Sequence, residues 1–301
     1  MKSWMKGMLA ASGALLMMGV ALTVTGQLMG AKSLEYHNGE WHLNDNKNAS
    51  LFLEWNDEQA PRSKTEKEFS LEGETIESIK TEDDVTANLV IRQGNAWEIS
   101  YDLDYPEQFS YQLKGKELKI DYQQPSNSSL DGAEEQVITI TVPKDAQLKE
   151  IDVALSVGNI EMDDLICQKV EAECSLGNNT VNNLQAEEIE LSNSLGNITT
   201  QNLTVEKEAK FSASTGNIDA DGTFHGNVEV SVDLGNARLI VRGASRNDYE
   251  LEASSDMGNL VIDGDKMDGE MMGADFQLEN GQNRKIQIDS SVGDVEITFE
   301  Q

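Results

Sequence analysis

A hydroxyl or an acid, one spacer, then Gly and Asn return along this chain at nearly one interval. Residues 155–160 read LSVGNI, and the same corner recurs at Gly158, Gly177, Gly196, Gly216, Gly235, Gly258 and Gly293, with separations of 19, 19, 20, 19, 23 and 35. The residue after each Gly is Asn159, Asn178, Asn197, Asn217, Asn236, Asn259 and finally Asp294. Two before it stand Ser156, Ser175, Ser194, Ser214, Asp233, Asp256 and Ser291. Gly tolerates positive φ, and Asn tolerates it better than most residues while bonding nearby backbone, so the pair reads as a corner.

The corners separate short stretches of strict alternation, the mark of a half-buried strand. Ile151, Val153, Leu155 and Val157 share one side, as do Val170, Ala172, Cys174 and Leu176, and Val228, Val230, Val232 and Leu234. Ile286 and Ile288 repeat the pattern. After the corners it resumes with Ile160 and Met162, Ile198 and Thr200, Leu260 and Ile262, Val295 and Ile297. Two strands in about 19–20 residues predict an all-β fold, a right-handed parallel β-solenoid in which each coil buries its apolar stripe by stacking on the next. A hairpin meander fits less well, because its corners would come every 8 to 12 residues or so. Asn179, Asn193, Ser255 and Ser290 fall at inward positions and need partners there.

Residues 149–301 hold the regular coils, and 76–148 read as irregular first rungs and a cap. Residues 32–75 read as a juxtamembrane linker. Residues 1–31 have Lys2 and Lys6, then no charge from Gly7 to Ala31, long enough for one membrane-spanning helix. The lysines place the short N-terminus inside and residues 32–301 outside the cytoplasm, at the cell membrane. A cleaved signal peptide is the alternative.

The features VITITVPKDAQLKEIDVALSVGNI, the S-x-G-N-[IV] corners and the closing SSVGDVEITF resemble a bacterial domain-of-unknown-function family of putative adhesins with β-strand repeats. The resemblance covers residues 76–301. It implies a non-enzymatic binding or scaffold role in the cell envelope, often with one N-terminal span and at times beside envelope-stress systems. It supplies no catalytic residue and no cofactor.

The residues agree. The chain has 54 acidic and 23 basic residues, a net charge of −31, which disfavours nucleic acid and suits a basic partner or cations. Outward positions six before each Gly are Asp152, Glu171, Glu190, Lys210, Glu229, Glu252 and Gln287, and the five acids form a candidate binding face. Partners compatible with it are an envelope component, a protein or a cationic peptide. His37, His42 and His225 form no metal motif. DGDKMDGE at 263–270 departs from a calcium loop and allows only weak divalent-cation binding. Cys167 and Cys174 are compatible with a disulfide or two buried thiols. The competing functions are an enzyme acting on envelope polysaccharide along a β-helix, and a self-assembling structural protein.

Overall fold

The computed structural model describes residues 33–37, 40–44, 65–71, 75–82, 85–125, 136–267 and 273–301. The chain divides into two compact units, Met1–Pro61 and Arg62–Gln301. In the first, Ser33–His37 pairs antiparallel with Glu40–Asn44. The expected anchor, residues 1–31, lies outside the described residues. Among those described, no helix is long and apolar enough to cross a membrane.

The second unit is a stack of parallel coils. Leu148–Val157 runs into the Gly158 corner, Ile160–Asp163 follows, and Ile166–Leu176 lies back on Leu148–Val157 with Ile151 opposite Val170 and Leu155 opposite Cys174. The next coil repeats this with Val170 opposite Ile189. The 19-residue interval is therefore the length of one turn of the coil. Where Gly196 and Gly216 are 20 apart, the register slips between Ala186 and Glu188, as a bulge accommodates the extra residue, and slips back between Thr200 and Leu203.

Alternation makes the core. Ile79, Ile151, Val170, Ile189, Ala209, Val228, Ile286 and Leu251 lie in one register column, and all are buried. No coil could keep such a stripe dry alone. Stacking removes it from water at about 25 cal/mol per Å² of apolar surface.

Two features depart from the simplest reading of the repeat. The coils do not stack in chain order: Asn227–Leu234 pairs with Lys285–Val292, which pairs in turn with Glu250–Met257. The Gly293 coil thus sits between the Gly235 and Gly258 coils. In addition, Val157, Leu176 and Leu234 are not core residues. Leu176 is 47% exposed, and Val157 and Leu234 are only half-buried. Positive φ at Gly158, Gly177 and Gly235 breaks the extended backbone there, and the alternation ends one step early.

The described strands between Ser78 and Pro143 form two irregular rungs. Ser78–Thr81 and Asn88–Gly94 lie parallel under the Gly158 coil, with Glu117–Asp121 and Val137–Pro143 parallel below them. Antiparallel strands then cover this end, Glu98–Leu103 on Val137–Pro143 and Ser110–Lys114 on Glu117–Asp121. Thr65–Ser70, within the segment expected to be a linker, instead pairs with Glu98–Leu103. Phe69, Tyr101, Phe109 and Tyr111 pack with ring centroids 4.6–6.4 Å apart and cover the core there. At the other end Ala274–Leu278 runs antiparallel to Glu250–Met257. Antiparallel caps of this kind keep parallel coils from presenting an open edge.

Candidate functional site

The corner ladder follows from one substitution of acceptors. The Asn178 backbone N–H and its Nδ2 both donate to Asn159 Oδ1, each at 2.9 Å. Asn197 does the same to Asn178, Asn217 to Asn197, and Asn236 to Asn217. Asp294 donates its N–H to Asn236 Oδ1, and Asn259 donates both groups to Asp294 Oδ1. Below Asn159 the ladder begins at Asn88, which lacks a preceding Gly and escapes the sequence pattern. Ala87 fills the Gly position there.

Because each Asn N–H is taken by a side chain, the Gly carbonyl beneath it loses the usual backbone donor. At three corners an inward polar side chain three residues before the Gly supplies one, whereas Ala213 and Val232 occupy that position before Gly216 and Gly235. Cys174 Sγ donates to Gly158 O at 3.0 Å, Asn193 Nδ2 to Gly177 O at 3.0 Å, and Ser255 Oγ to Gly293 O at 2.8 Å. Asn179, Asn193, Ser255 and Ser290 are all buried, and Asn179 Nδ2 donates to Asn193 Oδ1 at 2.6 Å. Cys167 and Cys174 are two free buried thiols, held up at about 12 and about 11 chiefly by burial.

A second corner was missed in the sequence. Asp164, Asn183 and Asn202 adopt φ of 57°, 51° and 55°, and the Nδ2 of each Asn donates to the residue below at 2.9 Å. The signal was D-D-L, N-N-L and Q-N-L, with the middle residue six after Gly158, Gly177 and Gly196.

Asp294 is the one acid in the Gly-Asn ladder, and the Asn259 N–H and amide bonds hold its carboxyl below the usual range. A depressed folded value means stability that is present above the unfolded value, near 3.8, and lost as pH falls through the folded one. Asp294→Asn should therefore lose less stability than wild type between pH 5 and about pH 2, read as the shift in urea midpoint; equal acid sensitivity would exclude this origin.

The outward face places all five candidate acids in one column. Its order is Lys80, Asp152, Glu171, Glu190, Lys210, Glu229, Gln287 and Glu252. The swapped coil order puts neutral Gln287 between Glu229 and Glu252. Lysines relieve much of the column: Lys80 lies 3.3 Å from Asp152, Lys169 2.9 Å from Glu171 and Lys285 2.6 Å from Glu252. Lys210 pairs with Glu208 at 3.3 Å, so Glu190 and Glu229 flank a lysine engaged elsewhere. Beside this column lie hydroxyls, with Ser192 and Ser212 bonded at 3.1 Å. Along the corner edge, Val157, Leu176, Leu195, Thr215, Leu234, Val292 and Met257 share one register, with Leu195 and Met257 each 49% exposed.

A polar cleft of about 610 Å³ opens where the irregular rungs meet this face, lined by Thr81, Thr86, Gln123, Gln124, Asp152 and Ser156 among others. Thr81 Oγ1 accepts from the Ala154 N–H and Thr86 Oγ1 from the Gln124 N–H, so both hydroxyls hold backbone. Among the described residues, no three His, Cys, Asp or Glu side chains converge as metal ligands.

Stacked parallel coils, a buried aliphatic column and an asparagine ladder define a β-solenoid of the Toastrack kind. Residues 76–224 match the family model described as Toastrack DUF4097, so this stretch of the chain is a domain of that family. Among solved structures it is similar to a putative adhesin from Bacteroides fragilis, at 15% identity over 79% of this chain and 97% of that one, with a TM-score of 0.43. A putative cell adhesion protein from Clostridium sporogenes matches at 13% identity over 79% and 100%, TM-score 0.34. A putative lipid binding protein from Parabacteroides distasonis matches at 14% over 79% and 97%, TM-score 0.39. No curated protein matches the chain.

Proposed function

We propose that the chain is a non-enzymatic, adhesin-like binding module of the cell envelope, held at the membrane by residues 1–31 with its coils outside the cytoplasm. The observation that carries this reading is the outward column of Asp152, Glu171, Glu190, Glu229 and Glu252 on a continuous parallel sheet. A partner with basic groups gains from the incompletely neutralised acids around Glu190 and Glu229. A sheet already ordered loses little entropy on binding. Cationic envelope components, proteins or peptides fit these terms, and divalent cations would compete only weakly.

The probe is a fluorescent oligolysine peptide titrated against the chain at low and high salt. Binding should weaken by about tenfold or more as salt screens the contacts. Combining Glu171→Lys, Glu190→Lys and Glu229→Lys should abolish it. Salt-independent affinity, or full affinity in the triple variant, would sink the electrostatic reading.

A further inference from the structure

The Gly293 coil lies between two coils that precede it in the chain, and those two fit each other. Val228 and Leu251 both face Ile286, Val230 and Ala253 both face Ile288, and Val232 and Ser255 both face Ser290. Past the corner, Ala237 and Leu260 both face Val295, while Leu239 and Ile262 both face Ile297. Each pair is 23 residues apart, the same as Gly235 and Gly258. If the Gly293 coil withdrew, the flanking coils could therefore close with apolar on apolar at every inward pair but Val232 and Ser255, Gly on Gly, and Asn259 over Asn236. A slot whose walls match can empty without leaving a wet interior. One column opposes closure: Gln287 now separates Glu229 from Glu252, which would otherwise stack as like charges.

The tether to the inserted coil is short and largely exposed. Residues 279–284 cross the start of Glu250–Met257, because Ala274–Leu278 pairs on one edge of that strand and Lys285–Val292 on the other. Gly281 within it has φ 74° and open space around it. The crossing is held by Asn280 Nδ2 donating to Asn247 O at 3.0 Å and Tyr249 O at 2.9 Å, and by the Arg284 guanidinium 4.5 Å from the Tyr249 ring.

We propose that this slot is a strand-exchange site, in which the pair Lys285–Val292 and Val295–Glu300 can be replaced by the same pair from a second copy of the chain. The exchanged pair makes every ladder bond and core contact of the native one, so concentration against the short tether sets the balance. The matching walls lower the barrier by letting the emptied slot close.

The test uses full-length variants. Ser231 and Asp289 are direct neighbours across the slot, about 4.8 Å apart, within disulfide reach. Chains carrying S231C and chains carrying D289C are mixed, held in moderate denaturant, returned to buffer and oxidised. The expected product is the mixed disulfide dimer in excess of both homodimers. The two substitutions in one chain should link internally and establish that the pair can react. A statistical mixture of dimers, or none, while that control links, overturns the exchange. A second chain carries S231C and S254C, residues now two strands apart at about 9.6 Å, beyond a disulfide. It should link only as the slot closes, and faster at high salt, where stacking Glu229 on Glu252 costs less. Failure to link overturns the closing slot. Cys167 and Cys174 are buried and contribute little background.

Discussion

Gly196→Ala is expected to cost about 3–5 kcal/mol, enough to remove most of the stability of a typical domain. Two independent penalties meet at this residue. Its φ is 140°, in a region that side chains rarely adopt, and an added Cβ would overlap the carbonyl oxygen of Gly177 directly below. That oxygen cannot retreat, because Asn193 Nδ2 holds it and Gly177 N is bonded to Leu195 O. Gly281→Ala separates the two penalties. Gly281 also has positive φ, 74°, but nothing lies within 4 Å of an added Cβ, so conformational strain alone, about 1–2 kcal/mol, should appear. Urea unfolding of both variants reads the difference. Equal midpoints would mean that the coils do not approach at the corner as closely as the ladder requires.

The same contrast explains what the sequence could reveal. A Gly that must lie under another Gly leaves a spacing, and an Asn that must accept two bonds leaves an Asn beside it. Both were therefore visible at Gly158 through Gly293. So were the inward positions of Asn179, Asn193, Ser255 and Ser290, because alternation fixes a side before it fixes a partner. Coil order was not visible. Every coil carries the same corner, so spacings of 23 and 35 give register without saying that the Gly293 coil lies between the Gly235 and Gly258 coils. The outward turn of Leu176 was hidden because period-2 counting runs on until the backbone departs from the strand. Thr65–Ser70, with only one apolar residue, could not announce its pairing with Glu98–Leu103. For the candidate face, the acids were legible as a column. Their neutralisation by Lys80, Lys169 and Lys285 was less so, since those lysines reach across from register neighbours or from adjacent columns.

Val232→Asp should abolish cooperative unfolding near neutral pH, a loss of at least about 4–5 kcal/mol. Val232 is 1% exposed, with Ala213 on one side and Ser290 on the other. A carboxylate there has no cation to meet, and burial would raise its pKa in the folded state. Below the unfolded pKa, near 3.9, the new acid is neutral in both states and the penalty is smallest. It grows as pH rises from there and reaches its full size above the raised folded value. The deficit against wild type should thus shrink on acidification. Glu229→Gln, three residues earlier and facing outward, should stay within about 0.5 kcal/mol of wild type. Val232→Asn gives the sharper comparison, because it brings polarity to the same place with a donor attached. Position 232 corresponds to Asn193, whose Nδ2 reaches the Gly177 and Asn197 carbonyls, so the new amide has the Gly216 and Asn236 carbonyls within the same geometry. A cost of about 1–2 kcal/mol is expected for the amide, well short of that for the acid. If Val232→Asn unfolds the chain as thoroughly as Val232→Asp, the inward amides are not serving the glycine carbonyls, and the ladder's acceptor exchange must be balanced elsewhere.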